Sequence, residues 1–261
     1  MISDADAIIS KFSSLPKLVI FDLDKTIWDV YAAEQTFPPY RRISNNEVFD
    51  SLGNTVRSYK DVPVIMQGLN ARGVLIALAS LSPSFEKCDA LLSALDLKKY
   101  VARDLVQIRQ EPSKLPHFRH IQTASKVPPL PFRRNPRHPE LPPPQVAYDD
   151  MLFFDDLLSN VRAARGLGIA ATQVPPDGMC RALLQRALAG FADRRRSQAF
   201  LGRWLAGPTS AAPHSPGPAP PPAPAAHGGG APFAEPAEPT AVAADRPLDD
   251  DGAAAVKRRR L

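Results

Sequence analysis

Three short runs in this chain carry almost no polar residue, and they limit its possible folds more than any other feature. They are residues 17–21 (apolar after Lys17), 74–79 and 151–154. A strand with one wet face alternates apolar and polar residues with a period of two. A strand apolar throughout is covered on both faces. Residues 105–108 and 169–174 are weaker members of the same set. Helical stretches lie between them. One runs over 61–72, with Asp61 as cap, Val64, Ile65 and Leu69 at helical spacing, and Gly73 as stop. A second is opened by Ser82 or Ser84 and carries Leu91, Leu92 and Leu95. A third, opened by Ser113, reaches about Thr123; a fourth ends near Gly166 and Gly168; a fifth covers 177–191.

Strand followed by helix, repeated, predicts an α/β fold: a Rossmann-like parallel sheet with helices on both faces. Residues 37–59 read differently. Turn residues (Pro38-Pro39, Asn45-Asn46, Gly53-Asn54) alternate with short extended pieces, which predicts one or two hairpins. The span from Trp28 to Asp61 is too short for a separate cap domain, so only a small hairpin flap is expected.

Proline marks what lies outside this pattern. Of 29 prolines, 21 fall within 116–144 and 208–247, stretches with few backbone donors and little apolar surface. The expected organisation is an N-terminal extension (1–14), one domain over 15–194 with a Pro-rich insert at about 124–146, and a Pro/Ala/Gly-rich tail (195–261) expected to be disordered.

Ligands of such sheets bind beyond the carboxyl ends of the strands, so the polar residues there are the candidates. The first strand runs into Phe21-Asp22-Leu23-Asp24-Lys25-Thr26. Residues two apart in an extended chain point the same way, which aims Asp22 and Asp24 at one pocket. Neighbouring carboxylates repel unless a cation or proton intervenes, so the pair invites Mg²⁺; such a pair also serves in turns and caps. After the second strand comes Ser80, whose hydroxyl and amide could hold a phosphate oxygen, or which could cap a helix. Lys114 follows the third strand, where a solvated surface charge is the alternative. Asp155-Asp156 end the fourth confident strand, and acids directly after Phe153-Phe154 call for a cation. The joint pattern is more specific than any part.

Phe-Asp-Leu-Asp-Lys-Thr, then Ala-Ser-Leu-Ser, then a lysine, then Phe-Phe-Asp-Asp is similar to the four-motif set of haloacid dehalogenase superfamily phosphatases. Leu15-Pro16-Lys17-Leu18, Trp28, Ser113-Lys114 with His117-Phe118, and Asn160 five residues after Asp155 resemble the magnesium-dependent phosphatase family within it. The likeness spans about residues 15–191.

It implies that Asp22 is the nucleophile of an aspartyl-phosphate mechanism. Asp24 would be the acid and base. Mg²⁺ would be held by Asp22, the Asp24 carbonyl, and the Asp155–Asp156 pair, with Asp156 favoured as direct ligand. Lys114 would neutralise phosphoryl charge. Ser80 and the amides of Leu23 and Leu81 would bind phosphoryl oxygens. Asn160 would orient the acidic pair or lie on a helix surface. Trp28 would lean on a substrate ring or act as an apolar anchor. Leu81 departs from the family, which usually places an arginine there able to grip a phosphate bidentately.

The implied substrates are small-molecule or protein phosphomonoesters, phosphotyrosine-like or sugar-phosphate, in an open site. The alternative is a non-catalytic phosphate-binding scaffold whose Pro-rich segments recruit a module that binds such segments. A change of reaction to dehalogenation is disfavoured by Asp24, and one to a mutase by the missing cap.

The excess of positive charge is unevenly placed: the insert carries Lys126, Arg133, Arg134 and Arg137 against Glu140 alone, while Lys257-Arg258-Arg259-Arg260 face Asp245, Asp249, Asp250 and Asp251 just upstream. A nucleic-acid-binding face is therefore not expected. Cys88 and Cys180 fit neither a zinc nor a redox spacing and read as reduced thiols. No run is long enough to span a membrane. The expected location is cytoplasmic, with the basic cluster as a candidate nuclear signal.

Overall fold

The structure is a computed structural model that describes residues 4–125 and 145–205. The Pro-rich insert and the tail beyond Leu205, including the basic cluster, lie outside the described residues.

Five strands form a parallel sheet: β1 (Leu18–Phe21), β5 (Leu75–Ser80), β6 (Val106–Ile108), β7 (Met151–Asp155) and β8 (Ala170–Gln173), in the order β6-β5-β1-β7-β8. The other three strands, β2 (Arg41–Arg42), β3 (Glu47–Phe49) and β4 (Thr55–Arg57), make a small antiparallel sheet. That is the expected flap, built as two hairpins. Every apolar run becomes a strand within a residue or two of its expected bounds.

Both faces of the main sheet are covered, as uniform apolarity requires. On one face Val19, Phe21, Ile76, Leu78, Leu152 and Phe154 form one core cluster with helices α3 (Val62–Ala71), α4 (Phe85–Ala94) and α7 (Arg181–Leu205). On the other, Leu18, Ile20, Ala77, Met151 and Phe153 pack with α5 (Leu115–Ala124) and α6 (Leu158–Gly166). Phe21 stacks on Phe154, and Phe118 meets Phe153 edge-on. β1 is central, with Leu18 registered on Leu75 to one side and on Met151 to the other. The chain fills one half of the sheet, then crosses back to build the other. The order reverses beside β1, and a crevice forms there at the strand ends.

Some local expectations are corrected. Residues 4–9 form helix α1 (Asp4–Ile9), and Ile9 belongs to the core. The last helix starts at Arg181 rather than 177 and continues to Leu205. Asp61 stands at the N-cap of α3 but makes no side-chain cap bond there. Its carboxylate instead accepts the backbone N–H of Arg181 at 3.0 Å and pairs with that guanidinium at 3.1 Å, so it caps α7. Gly178, just before α7, has φ +79°, and a Cβ there would lie 2.2 Å from the Tyr59 ring. Only glycine lets the chain pass so close to the flap. Gly73 stops α3 with φ +70°, as expected.

Candidate active site

Asp22 and Asp155 are the residues at which β1 and β7 deliver their ends into the crevice, and the sheet ladder carries on past them. Asp22 N–H donates to the Phe154 carbonyl at 2.9 Å, and Val174 N–H to the Asp155 carbonyl at 2.8 Å. The backbone that carries each carboxylate is therefore fixed before any side-chain bond is counted.

Lys114 lies between them. It is 1% exposed, and its ammonium donates to Asp22 Oδ1 and, at 2.5 Å, to Asp155 Oδ2. The surface-lysine alternative is excluded. A buried ammonium is tolerated only when paired; here burial pulls its pKa down, but Asp22 and Asp155 outweigh it and hold it above the ordinary lysine value. The Asn160 amide, from the first turn of α6, donates to both Asp155 oxygens at 3.1 Å, and Leu157 N–H donates to Oδ1 at 2.8 Å. Of the two readings of Asn160, the orienting one matches this geometry, and its partner is Asp155.

Asp24 sits one step out, half-buried. Its Oδ1 accepts Trp28 Nε1–H at 2.7 Å and Ala32 N–H at 3.0 Å. Oδ2 is left for other work. Trp28 is fully buried, so it does not lean on a substrate. It anchors the core and holds Asp24, a pairing that i,i+4 spacing alone did not announce.

Ser80 is released from the capping alternative, because α4 begins at Phe85 with Ser84 at its N-cap. The Ser80 hydroxyl accepts Ser82 N–H at 3.2 Å, which frees its own hydrogen to donate. The Ser80 carbonyl lies 3.1 Å from His117 Nε2, which is also 3.2 Å from the Arg109 carbonyl. Burial keeps the His117 pKa low, helped by Arg109 and Lys114. A neutral ring donating from Nε2 thus braces the Ser80 backbone. Sequence reasoning noted His117 only as part of the resemblance; its support of Ser80 depends on a fold contact.

One cavity of about 220 Å³ gathers Asp22, Asp24, Ser80, Leu81, Lys114 and Asp156. Asp155 lies beneath it, fully buried. Leu23, expected to offer its amide, is fully buried and is not among the residues that line the cavity. Tyr31 also lines the cavity, with 45% of its surface exposed. Nothing in its sequence position marked it.

Burial dominates the electrostatics. It pushes Asp22 up to about 7, opposed by Lys114 and reinforced by Asp155. Asp24 is raised by burial against the pull of the Trp28 and Ala32 donors. Asp156 is raised by burial and by Asp155. Four carboxyl groups thus meet one ammonium. Asp22, Asp155 and Asp156 each offer an oxygen, all within 4.8 Å of one another. That donor set, hard oxygens with excess negative charge, fits a divalent cation such as Mg²⁺. Cys88, beneath Ser82, donates its thiol hydrogen to that hydroxyl at 3.4 Å, and burial pushes its pKa up to about 12. It is an inert packing thiol.

A family model described as acid phosphatase matches residues 14–194. Over 179 residues the chain is 31% identical to magnesium-dependent phosphatase 1 of Homo sapiens, an alignment that covers 68% of this chain and 88% of that protein. It is 26% identical over 162 residues to the HAD-like hydrolase superfamily protein P8B7.31 of Schizosaccharomyces pombe, with 59% and 83% covered. A solved structure of a HAD-superfamily hydrolase from Ehrlichia chaffeensis aligns at 11% identity and a TM-score of 0.43, covering 69% of this chain and 99% of that one.

Proposed function

The chain belongs to the acid phosphatase family, and from that premise we propose that it hydrolyses phosphomonoesters through an aspartyl-phosphate formed on Asp22, with Mg²⁺ as cofactor. The observation that carries the reading is the buried Asp22–Lys114–Asp155 unit opening into the same cavity as Asp24 and Ser80.

Asp22 attacks phosphorus with the carboxylate oxygen that Lys114 leaves free, and the bond from phosphorus to the ester oxygen breaks. Asp24, kept protonated to higher pH by burial, gives its proton to that departing oxygen. In the second half, Asp24 takes a proton from water as the water oxygen attacks phosphorus. The phosphorus–Asp22 bond breaks and the carboxylate is restored. Lys114 and the Ser80 hydroxyl, together with the amide of Leu81, hold the phosphoryl oxygens while charge shifts among them. Because Lys114 is already fixed by Asp155, little reorganisation is needed at the moment of reaction.

Asp22, Asp155, Asp156 and the Asp24 carbonyl would hold Mg²⁺. The ion would neutralise phosphoryl charge and keep Asp22 ionised, against the burial that otherwise raises it to about 7. Among the described residues none of the hairpin flap lines the cavity, whose rim comes from Tyr31, Glu34, Pro83 and Leu157; an open site of this kind suits bulky esters, phosphotyrosine-like or sugar phosphates. The scaffold alternative draws no support from the geometry, since a merely phosphate-binding pocket gains nothing from surplus carboxylates that repel its ligand.

Phosphate release from an aryl phosphate tests the reading. It should require Mg²⁺, stop on chelation, and vanish in Asp22→Asn. Asp24→Asn should slow the second step, so that intact-mass measurement detects protein carrying one phosphoryl group. Full activity in Asp22→Asn would overturn the mechanism.

A further inference from the structure

We propose that a groove at the open edge of the main sheet, rimmed by Arg165, Arg186 and Arg194, binds an organic anion whose apolar body lies on the groove floor. This site goes beyond the phosphatase reading and shares no lining residue with the catalytic cavity.

β8 is the last strand of the sheet and has β7 on one side only. Beside it, lined also by α6 and α7, is a space of about 430 Å³, enough for a small organic molecule. Its floor is apolar, made by Leu152, Ile169, Ala187 and Phe191. α7 passes the groove with Gly190, where an added Cβ would meet nothing within 4 Å. A glycine inside a helix costs about 1 kcal/mol against alanine, and no close packing demands one here. Its effect is to leave the groove open.

The rim carries charge of one sign. Among the described residues no aspartate or glutamate lines the groove. Arg165 donates to the Ala171 carbonyl from Nε at 3.1 Å and from a terminal nitrogen at 2.8 Å, and Arg194 donates to the Gly168 carbonyl at 2.5 Å. Neutral carbonyls hold a guanidinium in place without cancelling its charge, and each group keeps N–H donors to spare. Arg186 is exposed and has no hydrogen bond or ion pair with any described residue. Other arginines of α7 are neutralised: Arg181 pairs with Asp61, Arg195 with Asp149 and Asp150, and Arg196 with Asp193. That contrast marks the groove.

Like charges around one apolar floor repel, and an anion placed among them relieves the repulsion. Guanidinium N–H groups bind carboxylate, sulfonate or phosphate oxygens in pairs. A ring or chain attached to such a head would displace water from the floor. An added peptide strand fits less well, because the Ala171 carbonyl on this edge is already taken by Arg165.

The test uses anilinonaphthalene sulfonate, titrated into the full chain and followed by its fluorescence. Phenylnaphthylamine, the same body without the anionic head, is the comparison. Gly190→Leu fills the groove and favours the helix, so it should weaken sulfonate binding by about tenfold without lowering the melting temperature. Arg186→Glu, at an exposed position, should weaken the sulfonate by about fivefold and leave the neutral probe within about twofold. Sulfonate affinity unchanged by both substitutions, as binding at the exposed Phe200 and Trp204 would give, overturns the groove. So does a wild-type protein that binds no sulfonate saturably. Equal responses of the two probes to Arg186→Glu would overturn the selection of an anion.

Discussion

The floor of the site and its rim are composed differently. On the floor, Asp22, Lys114 and Asp155 are 6%, 1% and 0% exposed, and each charged group is gripped by partners from other elements. On the rim, Tyr31, Glu34, Pro83 and Leu157 are exposed and come from helix starts and loops. The floor must be in place before the reaction, because charges that develop out of water gain from fixed partners and lose from mobile ones. The rim has only to fit a leaving group. The chemistry of the molecule is therefore concentrated where change is least tolerated, and its selectivity where change is easy.

Lys114→Met strikes the floor hardest. It leaves Asp22 and Asp155 buried without their shared cation, which should cost roughly 3 kcal/mol or more in stability. It should also lower kcat by at least about a hundredfold. A variant within tenfold of wild type, with an unchanged melting temperature, would show that the floor is not an ionic unit. Asn160→Ala is the next step down. Both Asp155 oxygens lose a donor, so half-saturation with Mg²⁺ should need about tenfold more ion. An unchanged Mg²⁺ titration would remove Asn160 from the orienting role.

Leu81→Arg tests the rim in the direction of gain. A guanidinium at the cavity edge should lower KM for monoesters by about fivefold while kcat moves little. A fall in kcat instead would mean that rim and floor are not separable. The smallest effect is expected of Trp28→Phe, which keeps the packing and removes the donor to Asp24. That donor holds the Asp24 pKa down. Without it the pKa rises, Asp24 stays protonated to higher pH, and the alkaline limb of the kcat/KM profile moves upward. A downward movement would contradict the assignment of Asp24 as the acid.

Much of this was legible before any fold. The runs at 17–21, 74–79 and 151–154 carried enough apolar area to be recognised as covered strands, and the acids that follow them were conspicuous because nothing local explains an acid after Phe153-Phe154. The pairing of Lys114 was not legible, because its partners lie 92 and 41 residues away. The burial of Ile9 was hidden for a similar reason, since a helix of six residues is too short to show the periodicity that reveals its hidden face. Asp61 misled through a correct rule: it occupies a cap position, but the helix end whose N–H it satisfies belongs to Arg181.

By itself the sequence determined the parallel sheet, its two-sided cover, and which carboxylates stand at the strand ends, because apolar periodicity and the residues that directly follow a strand are local properties that backbone geometry converts into placement. Tertiary structure alone decided which charges are dry, which oxygen of Asp24 is occupied, and that Tyr31 lines the cavity. Those depend on distances between segments remote in the chain, and the energy of a charge is set by what surrounds it rather than by what precedes it.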